Sequence, residues 1–180
     1  MKQAELLTEW VALKHHGQLI KKTTEPYFNH LTAVADMVKH VVHGGYEIGL
    51  CHDLLEDTNT NIDELSIVLR SFVYSPSAAS WISNCVVELT DVYTRAAYPE
   101  LKKSARKKRE AARLITISPA AQSVKYADLI YNIQWMIRYD QKHAEKYLRK
   151  KKHLLEKLNQ GDLLLHQQAL DLIEGELQKL

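Results

Sequence analysis

The densest group of ionisable side chains in this sequence is the segment Cys51-His52-Asp53-Leu54-Leu55-Glu56-Asp57-Thr58, with one histidine and three carboxylates. If this segment is helical, His52 shares a face with Glu56 and Asp53 shares one with Asp57, because residues four apart lie on the same side of a helix. Crowding these groups on a partly buried surface is costly unless a cation or a proton offsets the charge. Imidazole nitrogen with carboxylate oxygen suits manganese, iron or zinc better than calcium or magnesium.

Two other positions favour a metal site over the alternative, which is an ordinary solvated helix face. His30 follows Pro26-Tyr27-Phe28-Asn29 at the start of a run with apolar residues at helical spacing. Far downstream, Lys125, Asp128 and Asn132 share one face of a predicted helix that is otherwise apolar. Packing does not explain such a polar stripe, whereas a metal ligand, a phosphate partner and a hydrogen-bonding group do.

The elements that must position these residues are all predicted to be helical, because apolar residues recur with the helical period along the whole chain. Six glycines and four prolines offer little turn chemistry for a sheet. Ser75-Pro76 and Ser118-Pro119 each place a capping residue before a proline, as at helix starts. The predicted helices cover about 2–16, 27–43, 46–55, a short one capped by Thr60 or Asn61 and running to 68, 76–89, a basic helix after 99, 119–139, and two after 141 that are hinged near 161–162.

These patterns predict one all-α, single-domain bundle over 1–180, with a motif-bearing core at about 6–140 and C-terminal helices at about 141–180. The order of His30, His52-Asp53 and Asp128 resembles the metal ligands of the HD superfamily of metal-dependent phosphohydrolases. The finer resemblance is to the hydrolase domain of the RelA/SpoT family and to the small alarmone hydrolases. The matching segments are Lys14-His15-x-Gly17-Gln18, Pro26-Tyr27-x-x-His30, Val34-Ala35, His52-Asp53-x-x-Glu56-Asp57-Thr58, Glu88-Leu89-Thr90-Asp91 and Lys125-x-Ala127-Asp128-x-x-x-Asn132.

This resemblance implies an HD-type helical bundle and a metal-dependent nucleotide (pyro)phosphohydrolase that acts on the 3′-diphosphate of guanosine tetraphosphate-like alarmones. A divalent metal is expected, with Mn²⁺ preferred and Fe²⁺ or Zn²⁺ as alternatives. The implied roles are metal ligands His30, His52, Asp53 and Asp128, and catalytic carboxylates Glu56 and Asp57, with capping of the next segment as the alternative for Asp57. Lys125 and Asn132 are expected to face the substrate. Lys21 is a candidate phosphate contact, and Tyr131 is expected either to bind the substrate or to pack in the core.

The segments expected to recognise the substrate depart from the family. Ile20 stands where an arginine is expected, Leu31 replaces a proline after the metal histidine, and Val92 and Tyr93 follow Thr90-Asp91 in place of an acid and a lysine. Two alternatives therefore stay open: the same chemistry on another nucleotide, and a nucleotide-sensing module without activity. The complete Glu56-Asp57 pair argues against the second.

The bulk composition is that of an ordinary globular protein, with 46% hydrophobic and 26% charged residues and a formal charge of +2. The basic segment 102–113 lacks interleaved aromatics, so we expect no nucleic-acid partner. No stretch approaches membrane-spanning length and the N-terminus has no apolar run, which predicts a cytoplasmic protein without a membrane partner. Cys51 and Cys85 are expected to be buried thiols. A homo-oligomer is compatible with all of this.

Overall fold

The computed structural model describes residues 2–180. Over that range the chain forms ten α-helices, and its one extended pairing is an isolated bridge between Leu19 and Pro26. The prediction of an all-α fold is confirmed. The helices are α1 (Lys2–Lys14), α2 (Phe28–Val38), α3 (Gly45–Cys51), α4 (Leu54–Asp57), α5 (Ile62–Ser71), α6 (Pro76–Leu89), α7 (Lys103–Leu114), α8 (Pro119–Tyr139), α9 (Gln141–Leu155) and α10 (Leu163–Leu177).

Helix α8 is the centre of the bundle. It begins as the sequence predicts, with the Ser118 hydroxyl accepting from the amide of Ala121 at 3.3 Å and a proline in the first turn. Most of its first fifteen residues are buried, and it packs against α2, α3, α6, α9 and α10. Asp128 lies in the middle of this helix and is therefore surrounded by the bundle.

Helices α2 and α3 pack closely because α3 has a glycine at their contact. A Cβ added to Gly49 would lie 2.7 Å from the Cα of Ala35, closer than side chains normally approach a backbone. Val34, Ala35 and Val38 fill this contact and are fully buried. The close approach brings the start of α2 and the end of α3 near each other.

The predicted helix over 46–55 is wrong in one important respect, because the chain turns inside it. Helix α3 ends at Cys51, and α4 begins only at Leu54, with Asp53 at φ −102° and ψ 2°. The Nδ1 of His52 contacts the carbonyl of Gly49 at 2.7 Å, and in a continuous helix that carbonyl would accept from the amide of residue 53. The histidine side chain thus competes with the helix, and the His52-Asp53 pair lies on the turn.

Other boundaries differ by less. The helix predicted over 27–43 ends at Val38, because 39–44 form turns up to Gly44, whose φ is +68°. The helix predicted to end at 68 continues to Ser71, and Asn61 rather than Thr60 caps it by accepting from the amide of Glu64 at 2.9 Å. Both cysteines are buried and free, as expected.

The connection between α9 and α10 binds directly to α8. The hydroxyl of Tyr126 donates to the carbonyl of Leu158 at 2.8 Å, and the amide of Asp162 donates to the hydroxyl of Ser123 at 2.8 Å. The two C-terminal helices thus share the core of the rest of the chain. Across residues 2–180, no helix combines the length and the apolar character needed to cross a membrane.

Candidate active site and metal centre

Two histidines and an aspartate from two parts of the chain meet at one point. His30 lies in the first turn of α2, and His52 and Asp53 occupy the turn between α3 and α4. The Nε2 atoms of His30 and His52 are 3.2 Å apart, and the Oδ2 of Asp53 lies 3.5 Å and 3.0 Å from them, respectively. The turn lets the adjacent His52 and Asp53 point to one place, which a continuous helix would not.

Asp128 completes the cluster from α8. Its Oδ1 is 3.4 Å from the Nε2 of His30 and 3.8 Å from that of His52. His30, His52 and Asp128 are buried, with 3%, 2% and 5% of their surface exposed. His30, His52 and Asp53 each offer a ligand atom within 4.8 Å of the other two, as a group that holds a metal ion must. The group can bind a divalent metal.

The hydrogen bonding of His52 prepares it as a metal ligand. Its Nδ1 faces the carbonyl oxygen of Gly49, which can only accept, so the Nδ1 carries the proton. The Nε2 is therefore the nitrogen that faces the cluster, and its lone pair is available to a metal that replaces its proton, as in metal-binding histidines. His30 also turns its Nε2 to the cluster, and its buried Nδ1 has no hydrogen-bond partner within 2–180.

The electrostatics of the metal-free cluster show the charge that a cation would replace. Burial alone would lower the pKa of His52, but Asp53 and Asp128 outweigh it and raise this pKa to about 10. Burial likewise opposes ionisation of Asp53, yet the neighbouring histidines hold its pKa well below the usual range. The site therefore favours ionised carboxylates together with a compensating positive charge, as the sequence pattern indicates.

A second group of side chains orients the cluster. The hydroxyl of Tyr27 donates to the Oδ2 of Asp53 at 2.5 Å. On α8, the amide of Asn132 donates to the Oδ1 of Asp128, and the Nζ of Lys125 pairs with its Oδ2 at 2.7 Å. Partners of this kind fix the direction of ligand oxygens and tune their affinity for a metal.

Glu56 lies one turn beyond the cluster and is exposed to solvent. Its Oε1 accepts from the backbone amide of Asp91 at 2.7 Å. Burial of part of its side chain, together with the negative charges of Asp91 and Asp53, raises the pKa of Glu56 to about 7. A carboxyl group with this pKa exchanges protons near neutral pH, as a general base does.

The backbone that faces Glu56 is held by an ion pair between buried Glu110 and half-buried Arg113. Glu110 accepts from the amides of Val92 and Tyr93 at 3.0 Å and 2.9 Å, and its other oxygen pairs with Arg113 at 2.6 Å. Arg113 also donates to the carbonyl of Thr90 at 3.0 Å. The Thr90–Tyr93 segment is thus positioned through its backbone, whichever side chains stand at 92 and 93.

Relatives of known name match most of this chain. The protein of Mus musculus named guanosine-3′,5′-bis(diphosphate) 3′-pyrophosphohydrolase MESH1 is 32% identical over 139 residues, which cover 73% of this chain and 69% of the mouse protein. The chain belongs to the MESH1 family. The Xenopus tropicalis and Homo sapiens proteins of the same name are also 32% identical, over 131 and 130 residues; the matched region is 68% of this chain and 64% of the length of each relative. No protein-family model matches the chain.

A solved structure supports the fold over nearly the whole chain. It is that of a protein described as a metazoan ortholog of SpoT that hydrolyses ppGpp and plays a role in starvation responses. The two folds agree with a TM-score of 0.78 over 98% of this chain and 96% of the other, at 21% sequence identity. The prediction of an HD-type helical bundle is confirmed, as is the resemblance from which it came.

The residues that the motifs single out as metal ligands are brought together, and Glu56 lies beside them. Asp57, also exposed, follows at the end of α4, and burial and the charge of Asp53 raise its pKa. Tyr131 packs on His30 with ring centroids 4.5 Å apart. In this MESH1-family chain, Tyr131 thus contacts a predicted metal ligand directly.

Three predicted substrate-binding residues have other partners in the structure. Lys125 and Asn132 both bind Asp128. Lys21 is exposed on the loop before α2, where its backbone carbonyl accepts from the Nε1 of Trp135 at 2.9 Å. Binding of substrate by these side chains stays a prediction.

Several residues near the site received no role from the sequence. Tyr27 belongs to the Pro26-Tyr27-x-x-His30 segment. Its hydrogen bond to Asp53 joins residues far apart in the sequence, so no local pattern predicts it. Lys151 lies in a basic stretch that resembles a solvated face, yet it is only partly exposed, and burial and the charge of Lys125 lower its pKa to about 8. Asp91 is a motif residue whose backbone, not its side chain, bonds Glu56.

Proposed function

We propose that this protein is a metal-dependent pyrophosphohydrolase that removes the 3′-diphosphate from guanosine-3′,5′-bis(diphosphate). The observation that carries the proposal is the convergence of two histidines and two aspartates next to an exposed carboxyl group with a pKa near neutral. The names of the MESH1 relatives, which describe this reaction, support it.

His30, His52, Asp53 and Asp128 would hold the metal. Their mixed imidazole and carboxylate donors suit Mn²⁺, Fe²⁺ or Zn²⁺, and among these we favour Mn²⁺ on the resemblance to the small alarmone hydrolases. When bound, a divalent metal polarises a phosphoryl oxygen and lowers the pKa of a coordinated water. The hydrogen bond from the Nδ1 of His52 to the carbonyl of Gly49 orients His52, and that from the hydroxyl of Tyr27 orients Asp53. Neither hydrogen bond requires substrate.

Glu56 is assigned as the general base. Its exposed carboxylate can accept a proton from an attacking water at neutral pH, and the amide of Asp91 holds one of its oxygens so that the other is free to do so. Asp57, the next residue, would assist departure of the leaving group. Both carboxylates belong to α4, the single turn that follows the proposed ligands His52 and Asp53.

Cationic and aromatic groups around the cluster suit a nucleotide. Lys151 is near enough to Lys125 and Asp128 for their charges to act on its pKa, and its Nζ lies 5.3 Å from the centre of the Tyr147 ring. No carboxylate among the described residues pairs with it. Tyr131 also lines a cavity of about 150 Å³, together with Ile20, Trp135 and Tyr139 and the polar side chains of Thr23, Glu25, Gln134 and Arg138. The cavity thus offers aromatic rings for stacking and polar groups for hydrogen bonding, both of which a nucleobase can use.

Ile20 favours a second candidate substrate. It is 6% exposed and lines the cavity where the resemblance predicts an arginine, so this wall lacks one positive charge. A nucleotide with fewer phosphates than ppGpp loses less by that change. The alternative function is the same hydrolysis on another nucleotide.

Release of pyrophosphate from a panel of nucleotides that includes ppGpp, with Mn²⁺ added to chelator-stripped protein, tests the proposal. We expect turnover of ppGpp by the wild type. Asp53→Ala should lose bound metal and turnover together, because it removes a proposed ligand. Glu56→Gln should keep the metal and lose about 10²- to 10⁴-fold in kcat, the usual contribution of a general base.

Asp36→Ala and Glu145→Gln are matched controls, since both residues are exposed and form only local ion pairs with Lys39 and Arg149. Full activity of Asp53→Ala would contradict the ligand assignment, and full activity of Glu56→Gln would contradict the assignment of the base. Turnover of another nucleotide alone would favour the second substrate. Metal binding without any turnover would indicate a sensing module instead.

A further inference from the structure

His15 is a buried histidine that neither binds the proposed metal nor faces solvent. It lies directly after α1 and is 2% exposed. Its ring stacks on Tyr27, with centroids 5.7 Å apart and an angle of 28° between the rings. Tyr27 in turn donates to Asp53, so His15 packs against the support of the cluster.

The hydrogen bonds around His15 determine its tautomer. The Nε2 of Gln18 lies 2.6 Å from the carbonyl oxygen of Asp57, and only an amide nitrogen can donate to a carbonyl. The Oε1 of Gln18 is therefore the atom that faces the Nδ1 of His15, at 2.7 Å. This oxygen can only accept, so the Nδ1 of His15 carries a proton. A directed chain of two hydrogen bonds thus runs from His15 through Gln18 to Asp57.

The hydrogen-bonded chain ends at α4, a helix with few internal hydrogen bonds of its own. Helix α4 consists of only Leu54–Asp57, and Thr58 after it is extended, with φ −132° and ψ 176°. A single helical turn is not stable by itself, because its few internal hydrogen bonds do not offset the ordering of its residues. A bond from Gln18 to the carbonyl of Asp57 supplies an external anchor at the proposed catalytic carboxylates.

The environment of the Nε2 of His15 indicates that this histidine acts through its Nδ1. Its Nε2 is buried and has no hydrogen-bond partner within the described part of the chain. Burial of a polar atom without a partner is unfavourable, and an apolar ring would stack on Tyr27 without that cost. Packing alone therefore does not account for an imidazole at this position.

We infer that His15 is a positioning residue for the Glu56-Asp57 turn: its Nδ1–H orients the amide of Gln18, which holds the carbonyl of Asp57. The expected effect of His15 on turnover rests on the proposed hydrolase function. Its expected effect on the orientation of the Gln18 amide rests on the hydrogen bonds alone.

Two amide variants, both of which lack the stacking ring, separate this role from packing. In His15→Asn the side-chain amide nitrogen can replace the Nδ1 as donor, whereas in His15→Gln it lies nearer to the position of the Nε2. We expect His15→Asn to keep kcat within about 3-fold of the wild type. His15→Gln should lose about 10- to 100-fold in kcat with KM and bound metal unchanged, as when an orienting partner is removed.

Gln18→Glu tests the second bond, because a carboxylate cannot donate to the carbonyl of Asp57. It should match His15→Gln, and the double variant should be no worse than either single one, since all three break the same chain. His166→Gln is the control: His166 packs edge-on against Tyr126 and bonds one carbonyl, that of Leu155 at 2.8 Å, and neither partner belongs to the cluster. Its kcat should not change.

Equal kcat values for His15→Asn and His15→Gln would overturn the inference, and so would parallel losses of kcat, bound metal and thermal stability in both. Exchange of the side-chain amide protons of Gln18, followed by NMR, gives a readout that does not need turnover. These protons should exchange slowly in the wild type and in His15→Asn and quickly in His15→Gln. Fast exchange in the wild type would refute the hydrogen-bond chain even if no substrate were turned over, while absence of turnover with slow exchange would refute only the proposed function.

Discussion

The contact between α2 and α3 allows a test of how the fold places its metal ligands. In Gly49→Ala, the new Cβ would lie 2.7 Å from the Cα and 2.9 Å from the N of Ala35. Ordinary contact begins at 3.4 Å, so the two helices must separate by about 0.7 Å, the difference between 3.4 Å and 2.7 Å. Both close atoms belong to the backbone and cannot rotate away.

This displacement reaches the site directly. His52 is bonded through its Nδ1 to the carbonyl of Gly49, and His30 lies on α2, so the two Nε2 atoms move relative to each other. Metal–ligand distances tolerate only about 0.2 Å. We therefore expect a loss of about 10- to 100-fold in Mn²⁺ affinity, as for disruption of ligand-orienting contacts. Overpacking should cost about 1–3 kcal/mol of stability, partly offset by about 0.5–1 kcal/mol from replacing a helical glycine.

Calorimetric titration with Mn²⁺ and urea unfolding of the metal-free protein measure the two effects. Gly175→Ala is the matched control, because it is the same substitution within a helix and its Cβ would have nothing within 4 Å. The control should gain about 0.5–1 kcal/mol and bind Mn²⁺ normally. If Gly49→Ala were as stable as Gly175→Ala and bound Mn²⁺ like the wild type, the close packing of α2 and α3 would not be what positions the histidines.

Two further outcomes concern the carboxylate and the lysine at the rim of the site. Because the pKa of Glu56 is raised to about 7 in the folded protein, folding favours its protonated form, and metal-free wild type should lose stability relative to Glu56→Gln as pH rises from about 4.5 to 7. Solvent exposure of Glu56 reduces the expected difference at pH 8 to about 1 kcal/mol, and urea unfolding that gave the same difference at pH 5 would contradict the shift. Lys151→Met should raise KM for ppGpp about 10-fold with little change in kcat, since it removes one charge-assisted phosphate contact. Steady-state kinetics check this against Lys152→Met, whose lysine pairs with Glu174 at 2.8 Å; equal KM values would exclude a substrate role for Lys151.

Where a feature depends on neighbours along the chain, the sequence was sufficient to predict it. Ser118-Pro119 marks the start of α8, and helical spacing places Asp128 and Asn132 on one face, where the amide of Asn132 indeed bonds Asp128. Cap geometry and the 3.6-residue period are local properties, so they follow from residue types and spacing. The helical class of the fold follows from the same regularities.

The same local reasoning failed at the turn between α3 and α4. Nothing in the spacing of His52 and Asp53 shows that α3 ends at Cys51 and that a new helix begins at Leu54. The competing hydrogen bond to Gly49 depends on the rotamer that His52 adopts in the assembled cluster. Helical spacing would direct the two side chains about 100° apart. The turn instead lets both reach the same point as His30.

Contacts across the bundle were decided by the tertiary structure alone. Glu56 accepts from the amide of Asp91, 35 residues later, and Gln18 holds the carbonyl of Asp57, 39 residues later. Residue types name the groups capable of chemistry, but the distances between those groups are set by packing of helices from remote parts of the chain, which no local periodicity encodes. The sequence alone was therefore enough to predict which residues could bind a metal. The residues that orient them could be identified only from the packing of α2, α3, α4 and α8.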